Sequence, residues 1–192
     1  MKIYILRHEA RYESPTFYTQ LTAEGLKKSE DLKYILEKEN INLIFSSPFP
    51  RVLQTIQPFC NMKNMHKQVN VDYSLYETMY DECFTKNNYK IEITNNDKEY
   101  YLVNPNYKSI IGINDIQCPE DYSNVKFRTS NFLNYITSNF SNTDYNVLIA
   151  SHGAVINSIL NIRDVDKLYP IGGLTKIYEN NLTCYNPINF YN

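Results

Sequence analysis

The 192-residue chain has no tryptophan, five glycines, three histidines and four cysteines. Cys60, Cys83, Cys118 and Cys184 lie far apart with no Cys-x-x-Cys pair. That spacing excludes a cysteine metal template and argues against a disulfide framework; four reduced, partly buried thiols are expected. No apolar run approaches the ~20 residues of a membrane span, so no membrane association is expected. The first strand pattern starts at residue 2, which leaves no room for a signal peptide and predicts a cytoplasmic protein. Without a secretory signal, the glycosylation patterns at Asn139 and Asn181 carry little weight. Charge excess is also missing: 19 basic and 21 acidic residues give a formal charge of -2. No sequence-wide attraction for nucleic acid or anionic lipid follows, and any positive site must be local.

Composition is otherwise that of a globular chain, 43% hydrophobic and 21% charged. Its length suits a single domain, 1–192, that buries roughly 70% of the unfolded surface. Residues 2–6 read as a buried strand and 12–20 as a loop. Thr22 is placed to cap a helix over 23–39, with Leu26, Leu32, Ile35 and Leu36 on one face. A strand over 41–45 leads to a helix from Pro50 into the low 60s, which Pro58 threatens to kink. Residues 69–71 suggest a third strand. Residues 78–118 show no sustained period and are expected to form an insertion or lid over a site. Tyr122, Val125, Thr129, Phe132, Leu133, Ile136 and Phe140 mark a long helix over 120–140. A strand at 147–150 precedes a helix to about 161, and 174–178 with 182–185 read as a closing hairpin. Alternating strands and helices predict a three-layer α/β/α fold with a mostly parallel central sheet.

In such sheets the ligand crevice lies beyond the carboxyl ends of the strands. Three polar clusters fall there: Arg7-His8, Ser46 to Arg51, and Ser151-His152-Gly153. A neutral imidazole at His8 is a nucleophile able to form a phosphohistidine. Neighbouring Arg7 and Arg11 would lower its pKa and offer forked donors to phosphoryl oxygens. His152, followed by Gly153 and a helix start, offers a further anion contact. Arg51 sits on a first helical turn, an unfavourable end of the helix dipole for a cation unless an anion lies beside it. Glu77, beside a bound phosphate, would have a raised pKa and could protonate a leaving oxygen. The third histidine, His66, reads as a surface residue.

Leu6-Arg7-His8, Leu21-Thr22-Ala23-Glu24-Gly25, Ser46 to Thr55 and Ser151-His152-Gly153 occur in an order and spacing that resembles the histidine phosphatase superfamily, the phosphoglycerate mutase-like fold. Arg7-His8 with Arg11 is similar to the phosphatase subgroup with an Arg-His-x-x-Arg motif. The resemblance implies that His8 is the phosphorylated nucleophile. Arg7, Arg11, Arg51, His152 and Gly153 would bind phosphate, and Glu77 would donate the proton. No metal or other cofactor is implied, since arginines supply the positive charge. The expected activity is hydrolysis of a phosphomonoester on a small molecule or phosphoprotein. The mutase pattern of Trp-Glu-Gly after the acid has no counterpart in Glu77-Thr78-Met79, which disfavours a phosphotransferase. Glu9 stands where the family usually has glycine, and a carboxylate aimed into the pocket would suit a relative that binds phosphorylated ligands without turnover. Substrate and oligomeric state are unreadable.

Overall fold

Side-chain alternation along the strands decides the architecture. In the computed structural model, which describes residues 1–13, 16–62, 68–80, 84, 91–161 and 169–178, β1 (Lys2–Arg7) turns Ile3 and Ile5 to one face and Tyr4 and Leu6 to the other. β4 (Asn146–Ser151) does the same with Val147 and Ile149 against Leu148 and Ala150. A strand covered on both faces needs apolar residues at every position, which explains the unbroken runs. α1 (Ala23–Lys38) and α2 (Pro50–Cys60) cover the first face through Leu32, Leu36, Val52, Leu53, Ile56 and Phe59. α4 (Tyr122–Phe140) and α5 (Gly153–Ile159) cover the second through Phe132, Ile136, Val155, Ile156 and Ile159.

The sheet runs β3-β2-β4-β1-β5, with β2 (Leu43–Ser46) and β3 (Val69–Val71) parallel to β4 and β1, and β5 (Leu174–Tyr178) antiparallel on the β1 edge. It is the three-layer, mostly parallel sheet expected from the sequence. All four parallel strands end on one side, at Arg7, Ser46, Val71 and Ser151.

Several boundaries and faces differ from expectation. Ile41 is buried but precedes β2, which extends through Ser46 instead. The inward face of α1 is Gly25, Ser29, Leu32 and Leu36, while Leu26 is 46% exposed. The helix is turned this way because Gly25 backs onto the carbonyl of Ala10, where a Cβ would lie 2.2 Å from the oxygen. α2 passes through Pro58 and reaches Cys60. Within 78–118, α3 (Asn95–Tyr100) is too short for periodicity to reveal. Phe84, Ile91, Ile93 and Tyr101 of that segment are buried in the α1–α2 core. His66, Cys83, Cys184 and the 182–185 half of the expected hairpin lie outside the described residues; Cys60 is buried and Cys118 partly so.

Candidate active site

The strand ends bring together the residues that the sequence scattered. His8 lies one residue past β1, with its backbone N–H donating to the Ser151 carbonyl of β4 at 3.1 Å. His152 follows β4 directly, and the two rings stand 5.3 Å apart between centroids, inclined at 63°. Both are buried. His8 Nδ1 lies 2.7 Å from the Glu9 carbonyl oxygen, so that nitrogen carries the proton and Nε2 keeps its lone pair. The Ser47 hydroxyl engages His152 Nε2 at 2.8 Å. The opposite nitrogen, Nδ1, is 3.1 Å from Glu77 Oε2 but outside hydrogen-bonding geometry.

Arg51 is buried on the first turn of α2, its guanidinium 4.5 Å above the Phe49 ring. Its Nη1 donates to the Thr16 carbonyl at 3.0 Å and its Nη2 reaches Glu77 at 3.4 Å, while Nε has no partner. Arg7 donates from Nη1 to the Tyr169 carbonyl, and its Nε is likewise unpartnered. A Cβ on residue 153 would lie 3.0 Å from the Arg7 Cζ, so glycine there lets the guanidinium lie against the backbone without being displaced. Arg11 donates to the carbonyls of Tyr12 and Glu13 in its own loop, at 2.7 and 2.9 Å.

Burial above all, then the charges of His152 and Arg51, holds the His8 pKa well below its ordinary value; Arg7 adds to this against the opposing Glu9 hydrogen bond. Burial, partly opposed by Glu77, pulls His152 down to about 4. Both rings are therefore neutral at pH 7. Burial lowers Arg51 to about 10 against the pull of Glu77, with Arg11 and Arg7 adding to the shift. Arg7 shifts in the same direction, again mainly by burial. For Glu77, burial works upward, but His152, Arg51 and His8 outweigh it and hold the carboxyl well below the usual range. Among the protein's own charges it is a carboxylate, and only an added anion would push it towards the acid form expected from sequence.

Glu9 is buried, and its carboxylate packs on Gly172, where a Cβ would meet Oε1 at 2.3 Å. Gly172 has φ +65, a region that favours glycine. Residues 169–173 strap the loop that carries His8: Gly172 N–H donates to the His8 carbonyl at 3.2 Å and Arg7 N–H to that of Gly173 at 3.1 Å. Tyr169 is fixed in turn by Asn157 Oδ1, which accepts from its backbone N–H at 3.0 Å. α2 adds a second brace, since Thr55 Oγ1 accepts from Glu9 N–H at 3.0 Å and Gln54 Oε1 from Leu21 N–H at 2.9 Å. Sequence reasoning assigned no role to Ser47, Thr55 or this strap. A Gly-Gly pair in a chain with five glycines was the available signal for the strap.

The pattern that defines the histidine phosphatase superfamily (branch 1) matches residues 4–166. The chain belongs to that superfamily. A search of the curated proteins finds no match. Among solved structures, the superfamily fold seen here is similar to that of an ecdysone phosphate phosphatase from Bombix mori in complex with tungstate, with a TM-score of 0.70 at 14% identity over 93% of this chain and 89% of the other. A mycobacterial glucosyl-3-phosphoglycerate phosphatase complexed with VO3 gives 0.64 at 16%, covering 92% of each chain. A phosphoserine phosphatase from Entamoeba histolytica in complex with 3-phosphoglyceric acid gives 0.59 at 19%, over 91% and 89%. Among the described residues, no helix is long and apolar enough to cross a membrane.

Proposed function

We propose that the chain is a metal-independent phosphatase that hydrolyses a phosphomonoester through a phosphohistidine on His8. The observation that carries the reading is a set of unspent donors. Arg7 Nε, Arg51 Nε and His152 Nδ1 are buried without hydrogen-bond partners around one nucleophilic ring. Buried polar groups are rarely left so, and a tetrahedral oxyanion would engage all three.

In the first step, His8 Nε2 attacks phosphorus while the ester P–O bond breaks. Arg7, Arg51 and His152 stabilise charge on the three non-bridging oxygens, with Arg11 a further cation whose charge acts on both arginines. A bound phosphate adds negative charge beside Glu77 and raises its pKa, and a substrate with a second pKa of about 6 arrives partly as the monoanion. Glu77 can then pass a proton to the leaving oxygen. In the second step Glu77 takes a proton from water, whose oxygen attacks the phosphohistidine to release inorganic phosphate and free His8. The carboxylate of Glu9, packed on Gly172, favours this reading over a silent binder. The absence of tryptophan and of a Trp-Glu-Gly pattern favours hydrolysis over a mutase reaction.

The substrate is a phosphorylated small molecule or phosphoprotein. We read 1–192 as one domain, with 78–118 as an insertion that shapes access. Phe84 packs edge-on against Phe49, the ring that also touches His152 and Arg51. The test is turnover of para-nitrophenyl phosphate with and without EDTA. Activity should survive EDTA and vanish in His8→Ala, while circular dichroism shows the fold retained. An EDTA-sensitive rate, or an active His8→Ala, ends the proposal.

A further inference from the structure

We infer that His8, Glu77 and His152 also form a three-ligand site for one borderline divalent cation such as Zn²⁺, and that its occupancy shuts the nucleophile off. The ligand atoms of the three side chains lie within 4.8 Å of one another. Two imidazoles and a carboxylate are a set that zinc takes, leaving the fourth tetrahedral position open. The outer contacts match what metal-bound histidines need. Each ring has one nitrogen engaged, by the Glu9 carbonyl and by the Ser47 hydroxyl, which leaves His8 Nε2 and His152 Nδ1 turned to the cluster. His152 Nδ1 is fully buried and has no hydrogen-bond partner, although Glu77 Oε2 is 3.1 Å away. Metal ligands must be deprotonated, so the ion takes the tautomer in which His152 Nε2 donates to the Ser47 hydroxyl, in place of the Nδ1–H form that serves a phosphate.

Arg7 and Arg51 oppose a cation, so a small anion in the open position, held by the same guanidiniums, completes the site. The ion occupies the lone pair with which His8 would attack phosphorus. Bound zinc and phosphohistidine are therefore mutually exclusive, and zinc acts as a reversible inhibitor, with no part in turnover. That last clause rests on the proposed phosphatase reading; the binding itself does not.

The experiment titrates the metal-stripped full chain with Zn²⁺ by calorimetry and with Co²⁺ by its visible tetrahedral absorption. One equivalent should bind. His8→Ala, Glu77→Gln and His152→Ala should each weaken that event by more than about 100-fold, and Ser47→Ala by about 10- to 100-fold. In the wild type, turnover should fall in step with Zn²⁺ occupancy and return with EDTA. No zinc binding by the wild type, or binding undiminished in His8→Ala, overturns the inference even if the phosphatase reading stands. A chain that binds zinc as described but never hydrolyses phosphate overturns only the functional reading.

Discussion

Arg51 and Arg128 are both buried arginines stacked on aromatic rings, yet they serve opposite ends. Arg128 spends its guanidinium: Nε and Nη2 clasp the two oxygens of Glu120 at 2.7 and 2.9 Å, and Nη1 donates to the Ser74 carbonyl at 2.6 Å. Its plane lies 3.8 Å over Tyr76, whose hydroxyl also donates to Glu120, at 2.6 Å. Arg51 holds one carbonyl, a long contact to Glu77 and an idle Nε. A closed set of hydrogen bonds makes a strut. An open set makes a binding site, at the cost of keeping charge buried without full compensation. A cleft of about 460 Å³ lies beside the saturated network, walled by Tyr76, Ile116, Glu120, Phe127 and Arg128. The unspent donors sit instead among the strand ends, so the proposed chemistry and this cleft are in different places.

Substitutions should separate the two arginines. Arg128→Ala strands the Glu120 carboxylate and is expected to cost about 3–5 kcal/mol of stability, read by urea denaturation. Arg51→Ala should cost about 10²–10³ in kcat/KM, roughly 2.7–4 kcal/mol of transition-state stabilisation, with a much smaller change in unfolding. Equal destabilisation by the two, with kcat/KM intact in Arg51→Ala, would erase the distinction.

The strap gives a smaller effect. Gly172→Ala should lose about 1–2 kcal/mol from the left-handed backbone alone, plus a contact term from Glu9. Combining it with Glu9→Gly should remove only the contact term; strictly additive losses in the cycle would show that Glu9 and residue 172 do not touch. The pH response is the most gradual signature. His8 and His152 have lowered pKa values, so between about 6.5 and about 4 the unfolded chain binds more protons than the native one. Stability should therefore fall as pH drops through that window, and the depressed Glu77 pKa adds to the loss below its ordinary range. A Tm that climbs on acidification from pH 6.5 to 4 would contradict the neutral pair of rings.

Much of this was legible because strand ends are local signals. An apolar run that stops at Arg7-His8, and another that stops at Ser151-His152, announce their own boundaries, and a parallel sheet then brings them together. Glu77 follows for the same reason, two residues beyond the 3-10 turn Tyr73–Leu75 that succeeds β3. The parts that were not legible depend on distant partners. Nothing near Tyr169 indicates that its carbonyl will receive a guanidinium from 162 positions earlier, nor does Leu26 reveal that Gly25 takes the inward place. Glu9 looked like a threat to the pocket only because the residue it packs on lies far along the chain.

The strap carries a temporal consequence. Residues 169–173 are translated after every other part of the pocket, yet they hold the guanidinium of Arg7 and the carbonyl of His8. A nascent chain on the ribosome can assemble four parallel strands and place both imidazoles before this segment emerges. The proposed phosphate clamp still lacks this fastening, so its geometry is completed only once residues 169–173 are in place beside β1.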